Sequence, residues 1–554
     1  MSELTRPARD GQTKKIPISL WVTLVIFSLV PVARSFHYET DHQMANVFGT
    51  GVALLGCLSA YVGLWIHFGK SVLRKSLMVF VPLAFLSVGV SFFEFVGFTG
   101  EIIPVFRLRS WTSKPKAQAE IIVGERASAR DPSFDAFEST QFLGSDRNGI
   151  VTNQEFSIDW GKQLPTLLWK IPIGAGWSSF AVSHGLAITL EQIDDQESIT
   201  ALELATGKIV WRLTTPGRHM QVMGGLGPRS TPTIHKGKVI AQSALGIVSC
   251  VDMQTGKLVW QQNLLKLAGI DKETSEKAIL WGRSGSPLVN GNQVVVPFGG
   301  RTGDRSLKSL VAFDLDSGRE LWTGGDQQIA YSSPVLLTLC GVQQIVNINE
   351  GSASGYDATN GKVLWTTPWP SNSNADACSS QAVAVDGSRV LLGKGYALGS
   401  KLFELSYSGT TAENQSDASF WKEKTVWANT KILKTKFTSA IAFEGYLYGL
   451  SDGVLECIDP KDGSRVWRGK RYGQGQAIIV NGNILIATED GRVALVPANA
   501  DSRGGPIGEM QVLEGITWNV PVIAGPYLLV RNAEFAACLI SKKDSGQDAR
   551  SVSQ

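Results

Sequence analysis

Residues 202–211 read Leu-Glu-Leu-Ala-Thr-Gly-Lys-Ile-Val-Trp, and this phrase decides the fold because the chain repeats it. In each copy an acidic residue precedes a glycine turn, and the short strand that follows ends in tryptophan. The other copies lie at 251–260, 313–322, 356–365 and 458–467, with a stretched copy from Glu404 to Trp427. The glycine supplies the positive φ of a tight turn, the acidic side chain can accept bonds from turn amides, and the tryptophan can cover a neighbouring repeat.

Two further strands precede each phrase, so every repeat has four strands and predicts one blade of a β-propeller. The first strand begins with small polar residues, as in Ser230-Thr231-Pro232, and the second is apolar, as in Val239-Ile240-Ala241. The outermost strands of six blades end in tryptophan, at Trp211, Trp260, Trp322, Trp365, Trp427 and Trp467. A degenerate seventh blade ends near Met510-Gln511-Val512-Leu513.

The last strands, from about Trp518 to Ile540, leave an eighth blade one strand short. The orphan strand Leu167-Leu168-Trp169 can supply the missing strand, and this closure would remove exposed sheet edges. We therefore expect an all-β, eight-bladed β-propeller over residues 141–541, with seven blades as the alternative.

The first hundred residues contain three apolar stretches, at about 16–33, 44–68 and 76–98. Each is close to the length that crosses about 30 Å of hydrocarbon as a helix. A cleaved signal peptide is the alternative for the first stretch, but two more stretches follow it. Lys and Arg concentrate before the first stretch and between the second and third, which predicts a cytoplasmic N-terminus.

These features predict a bacterial inner-membrane anchor with three transmembrane helices at 1–110, followed by a periplasmic propeller. A polar linker is expected at 111–140 and a polar tail at 542–554. Residues 1–116 carry 12 Lys or Arg against 6 Asp or Glu, a net charge of +6, and the rest of the chain carries −3, so the positive charge belongs to the first part of the chain. The charge therefore gives no evidence for a nucleic-acid partner, and the lipid bilayer is the expected partner of the helices.

The repeat resembles that of the quinoprotein-type propellers, through Thr206-Gly207-Lys208 to Trp211 and the copies of this phrase. The resemblance implies eight blades with tryptophan-docked outer strands. The family includes pyrroloquinoline-quinone dehydrogenases and non-catalytic scaffolds such as the outer-membrane assembly propeller. The dehydrogenases use calcium, a catalytic aspartate and a tryptophan beneath the quinone, and the alcohol-oxidising members add adjacent cysteines. This sequence has no adjacent cysteines and no Cys-x-x-Cys-His site, and no calcium ligand can be matched, so we assign no catalytic or metal-binding residue.

The cysteines are better explained by packing. Cys250 and Cys457 fall two residues before the acidic position of the phrase, and Cys538 falls at the equivalent place. Other repeats place Ala201, Ala312, Gly355 and Ala494 there, so the position predicts a small buried residue. A disulfide between Cys340 and Cys378 stays open.

Candidate site residues lie in the loops that lead into each innermost strand and in those between second and third strands. A propeller gathers these loops on one face around the channel, where convergent polar and aromatic groups suit a ligand or peptide site. The candidates are Trp177, Arg229, Arg283, Tyr331, Glu350, Asp376, Lys436 and Trp518, with Glu191, Arg301, Asp304, Arg305 and Lys394 in the same loops. The alternative is that these residues only hydrate and cap the channel.

We therefore favour a membrane-anchored periplasmic propeller that binds a protein or peptide partner in the cell envelope. In this interpretation the chain has no catalysis of its own and needs no cofactor. The alternative is a membrane-bound dehydrogenase that uses pyrroloquinoline quinone with calcium, oxidises an alcohol or sugar and passes electrons to quinone.

Overall fold

The computed structural model describes residues 17–38, 41–68, 71–109, 136–299, 307–370, 376–409 and 415–542. The chain divides into two compact units, Met1–Val96 with Glu101–Trp111, and Gly97–Gly100 with Thr112–Gln554. Most of the expected linker, all of the expected tail after residue 542, and the candidates Arg301, Asp304 and Arg305 lie outside the described residues.

The first unit contains three helices, α1 (Ile18–Tyr38), α2 (His42–Phe68) and α3 (Val72–Phe92). All three are long and apolar enough to cross a membrane. The third helix ends six residues before the expected Phe98 because the aromatic-rich stretch Phe93–Phe98 forms a strand instead, paired with Pro104–Leu108. Aromatic residues favour such pairing, and Gly97 has a φ of 154° that a helix does not contain.

Helices α1 and α2 pack closely because small residues of α2 face α1. Gly56 and Gly63 are seven residues apart and therefore share one face of the helix. A Cβ at Gly56 would lie 3.0 Å from the ring of Phe27, and a Cβ at Gly63 would lie 2.8 Å from the Ser19 side chain. Such contacts hold helices together in lipid, where apolar burial gives little net attraction between them.

The second unit is a ring of eight sheets, each with four antiparallel strands and one with a fifth, parallel strand, so eight blades are confirmed and seven is wrong. Blades are numbered in chain order from the sheet that begins at Ala181. First strands of several neighbouring blades contact each other, which makes them the innermost strands. In order, the strands are Ala181–Ser183, Leu186–Ile193, Gln196–Glu203 and Ile209–Pro216; Thr233–His235, Lys238–Gln242, Ile247–Asp252 and Leu258–Asn263; Leu288–Asn290, Gln293–Pro297, Leu310–Asp314 and Glu320–Gly324; Val335–Leu339, Val342–Asn349, Ser352–Asp357 and Val363–Pro368; Val383–Ala384, Arg389–Lys394, Gly399–Tyr407 and Trp421–Asn429; Ile441–Phe443, Tyr446–Ser451, Val454–Ile458 and Arg465–Arg471; Gln476–Val480, Asn483–Ala487, Arg492–Pro497 and Gly508–Gln511; and Val522–Ala524, Tyr527–Arg531, Phe535–Ile540 and Thr166–Pro172.

A few short elements lie outside this four-strand pattern. They are the strand Ile150–Val151, the hairpin of Met220–Gln221 and Gly225–Leu226, the helices Leu264–Ala268 and Lys272–Ala278, and the 3-10 turn Ala418–Phe420.

The ring closes as the sequence predicts, because Thr166–Pro172 pairs antiparallel with Phe535–Ile540 in the eighth blade. Arg531 strengthens the closure from a fully buried position. Its guanidinium donates to Thr189 Oγ1 at 2.7 Å, Leu190 O at 2.9 Å and Gly174 O at 2.9 Å, all from blade one or the segment before it. Burial lowers the pKa of Arg531 to about 10, so the side chain remains charged at neutral pH.

The tryptophans dock one blade onto the next. The Trp211 indole N–H donates to Met253 O of blade two at 2.9 Å, and Trp260 donates to Leu315 O of blade three at 2.9 Å. The turn glycine of the next blade receives the ring: a Cβ at Gly256, where φ is 67°, would lie 2.6 Å from Trp211. Glycine is therefore required at this position both for its backbone conformation and for space.

The prediction of a small buried residue is confirmed in six blades, where this residue lies directly opposite the tryptophan on the adjacent strand. The six residues are Ala201, Cys250, Ala312, Gly355, Cys457 and Cys538. All six residues are buried. Blade five differs, because Leu402 lies opposite Trp427. Cys340 and Cys378 are both free thiols, so the disulfide that the sequence left open is not formed.

A segment that the sequence did not single out crosses the ring. The Thr140 carbonyl accepts a bond from the Ile234 amide of blade two at 2.7 Å, and Arg147 Nη1 donates to Pro287 O before blade three at 2.7 Å. Ile150–Val151 pairs in parallel with the innermost strand of blade seven, and Asn153 donates to Gly525 O of blade eight at 2.7 Å. Because residues 139–153 bond to blades on several sides of the ring, they traverse its centre.

Candidate functional site

The face that carries the loops into the innermost strands is called the mouth, and it holds a hairpin that occurs once among the described residues of the propeller. It is inserted before blade two, where Met220–Gln221 pairs with Gly225–Leu226. Arg229 Nη2 donates to Gly224 O at 2.7 Å, and the Trp177 indole N–H donates to the same carbonyl at 2.7 Å. These two candidates therefore position the hairpin, which the sequence had not predicted.

The tip of this hairpin is apolar and exposed. Met220, Val222 and Met223 are 61%, 62% and 40% exposed. In the described part of the propeller, the other large apolar side chains of similar exposure lie on or next to outermost strands, such as Leu258 and Leu321. A clustered apolar tip at the mouth is the kind of surface that marks a protein contact.

Three aromatic rings from distant loops meet beside the hairpin. The Trp177 and Trp518 ring centroids are 4.7 Å apart, and Trp518 and Phe437 are 5.0 Å apart. The Trp518 indole N–H donates to Glu489 Oε1 at 2.9 Å, and the Gly100 amide donates to the same oxygen at 2.6 Å. The structure thus brings together two of the predicted aromatic residues and adds Phe437, whose loop belongs to the class that the sequence identified.

A buried polar cluster lies under Arg229. Glu197 accepts a bond from the Ala244 amide at 3.1 Å, and burial raises the pKa of this carboxyl to about 7. Burial, assisted by the charge of Arg229, lowers the pKa of His219 to about 4, so this imidazole is neutral. Burial also raises the pKa of Tyr331 above its usual value. Glu197 comes directly after the loop between the second and third strands of blade one. Because the sequence analysis searched loops of this class, the position of Glu197 could have identified it as a candidate site residue.

Two other candidates cap backbone groups of the mouth. The buried Arg283 donates to the carbonyls of Phe298 and Gly299, the second at 2.8 Å, and burial lowers its pKa to about 10. Glu350 is half-buried, and its amide donates to Gln328 O at 2.7 Å.

Buried ion pairs hold the last two candidates. Asp376 pairs with Lys394 at 2.7 Å and also accepts the Gly351 amide. Lys436 is fully buried and lies 3.2 Å from Asp452, which Lys434 approaches to 2.8 Å. Glu191 is likewise buried, against Arg212 at 2.8 Å. These pairs anchor loops. Among the described residues of the mouth, the hairpin tip is exposed and the aromatic rings are half-buried.

Among the residues that the structure describes, no three His, Cys, Asp or Glu side chains come together in a way that could hold a metal ion. The described mouth therefore offers no group of carboxylates of the kind that the calcium of a quinone site would use.

The ring of tryptophan-docked blades, closed by its first strand, defines a quinoprotein-type propeller. A family model described as "Outer membrane protein assembly factor BamB" matches residues 146–276 and 195–469, together more than half of the chain. The chain belongs to this family.

Curated relatives carry the same description. The protein from Moranella endobia (strain PCIT) is 29% identical over 202 residues, which cover 36% of this chain and 46% of the relative. The chain therefore spans less than half the length of that relative. The protein from Yersinia pestis is 21% identical over 447 residues, which cover 76% of this chain and 98% of the relative.

Solved structures show a similar ring. BamB from Moraxella catarrhalis has a TM-score of 0.46 and 14% identity, covering 68% of this chain and all of that one. A quinohemoprotein alcohol dehydrogenase from Comamonas testosteroni has a TM-score of 0.38 and 14% identity, covering 76% and 82%.

Proposed function

We propose that this chain is a membrane-anchored propeller scaffold that binds a protein partner in the bacterial envelope and has no catalysis of its own. The observation that carries the proposal is the hairpin of residues 219–227, whose apolar tip is exposed at the mouth. The relatives described as outer membrane protein assembly factors support an envelope protein as the partner.

The tip has the physical properties of a binding hot spot. Fully burying one large apolar side chain contributes about 1.5–3 kcal/mol, and three lie together here. Arg229 and Trp177 fix the turn through the Gly224 carbonyl, so little backbone entropy is lost when a partner covers it. The flexible methionine side chains can adapt to the surface that they meet.

The helices α1, α2 and α3 would provide the anchor, with the N-terminus in the cytoplasm and the propeller in the periplasm. Positive charge before and between the apolar stretches supports this orientation. A reporter enzyme that is active only in the periplasm, fused after Thr140, should be active. An expressed but silent fusion would reverse the proposed orientation.

Photo-crosslinking tests the binding surface. A benzophenone amino acid at Val222 in the full chain, irradiated in intact cell envelopes, should give a discrete protein adduct. The same amino acid at Leu258, an exposed position on an outermost strand, serves as the matched control and should not give that adduct. Equal products from both positions, or none from Val222, would overturn the proposal.

Cofactor binding tests the absence of catalysis. Pyrroloquinoline quinone and Ca²⁺ are added to the purified full chain in detergent, and absorbance and dye reduction are followed with alcohols and sugars. No binding at tens of micromolar is expected. Stoichiometric binding of pyrroloquinoline quinone with turnover would refute the scaffold proposal and favour a dehydrogenase.

A further inference from the structure

The methionines of the described propeller differ sharply in exposure. Met220 and Met223 are exposed at the hairpin tip, whereas Met253 is only 2% exposed and Met510 is half-buried on an outermost strand. Oxidants reach thioethers by collision, so reactivity follows access to the sulfur. Of the four methionines in the described propeller, Met220 and Met223 therefore have the most exposed side chains, and the same two residues form most of the apolar tip.

We propose that Met220 and Met223 form an oxidation site through which a peroxide lowers the affinity of the mouth for its partner. A sulfur lone pair attacks one oxygen of hydrogen peroxide, so that an S–O bond forms and the O–O bond breaks. Sulfur loses two electrons, the peroxide gains them, and the second oxygen leaves as water. The product is methionine sulfoxide, which is polar and accepts hydrogen bonds.

The consequence differs between the free and the bound protein. In the free chain both side chains already face solvent, and the hairpin is held by bonds from Arg229 and Trp177 to the Gly224 carbonyl. Oxidation therefore leaves the fold unchanged. In a complex the sulfoxide oxygens would be buried without assured partners, which costs binding free energy. This consequence rests on the proposed function, whereas the selectivity of oxidation does not.

Peptide mapping of the full chain in detergent, after graded hydrogen peroxide, tests the selectivity by mass spectrometry. Met220 and Met223 should form sulfoxide about tenfold faster than Met253, with unchanged far-UV circular dichroism. Met253 is the internal control for burial and Met510 for partial exposure. If Met253 or Met510 is oxidised at the same rate as Met220 and Met223, the proposed selective oxidation site is wrong.

Crosslinking from Val222 tests the consequence. Peroxide should reduce the adduct about tenfold, and methionine sulfoxide reductase should restore it. A chain with both Met220→Leu and Met223→Leu has no thioether at the tip, so peroxide should not change the amount of adduct that this variant forms. If both tip methionines are fully oxidised and the amount of adduct is unchanged, the proposed effect of oxidation on partner binding is wrong. No adduct even before oxidation would overturn the proposed function, while the mapping would still decide the oxidation site.

Discussion

Glu197 gives the sharpest test of the mouth, because its carboxyl is buried where a negative charge is poorly solvated. Burial raises its pKa from 4.5 to about 7, against the opposing effects of the Ala244 and Ser243 bonds and the Arg229 charge. The folded state therefore holds the proton more tightly than the unfolded chain. Stability from this group is fully present below about pH 4.5 and is lost as the pH rises towards about 7.

The size of the effect follows from the two pKa values. Between pH 5 and pH 8 the free energy of unfolding should fall by about 2–3 kcal/mol through this carboxyl alone. Glu197→Gln removes the titration, and the amide oxygen can still accept the Ala244 bond. The variant should therefore gain about 2–3 kcal/mol relative to the native chain between pH 5 and pH 8.

Urea unfolding of the full chain in detergent, followed by circular dichroism at intervals from pH 5 to pH 8, measures this difference. Groups that titrate in both proteins cancel when the two curves are subtracted. Glu273→Gln, on the exposed helix Lys272–Ala278, is the matched control and should give a nearly constant difference. Parallel curves for the native chain and Glu197→Gln would refute the placement of a dehydrated carboxyl at this position.

Three further outcomes are expected. Trp211→Phe loses an indole bond to the next blade and should lower the free energy of unfolding by about 1–3 kcal/mol in urea titrations, whereas Trp211→Ala should cost about 3–5 kcal/mol. Arg229→Ala should speed amide hydrogen exchange in residues 219–227 about tenfold without changing exchange in blade seven. At pH 8 iodoacetamide should label the half-buried Cys340 before the buried Cys250, whose thiol pKa burial raises to about 12. Labelling of both cysteines at one rate would contradict this burial.

The blades could be predicted because each local signal has one physical solution. The turn glycine must both adopt positive φ and leave room for the indole of the preceding blade, as Gly256 does for Trp211. The residue opposite the tryptophan is small in six blades, as at Cys250, and is Leu402 in blade five. Even ring closure follows, since Leu167-Leu168-Trp169 has the pattern of an outermost strand but no upstream strands of its own.

The site was only partly predictable, because side-chain direction does not follow from loop position. Trp177 and Trp518 were expected on one face and do meet. Arg229 was expected to face a ligand, yet it points to backbone carbonyls of the hairpin. The crossing segment 139–153 was missed altogether, since its partners lie far along the chain and it carries no repeated phrase.

Blades of one repeated structure present similar loops, so a partner can distinguish one side of the ring from another only where a blade carries an insertion. Two such insertions lie on the mouth side between blades one and three. They are the hairpin of residues 219–227 and the pair of helices Leu264–Ala268 and Lys272–Ala278. The two are packed together, because His219 at the base of the hairpin and Ile279 after the second helix line the same small cavity. Residues 139–153 cross the centre of the ring, where they bond to the innermost strand of blade seven and to Gly525 O of blade eight. A partner that binds this propeller should therefore contact the mouth over blades one to three. Substitutions on the mouth side of blades five and six should weaken binding less than substitutions at the hairpin.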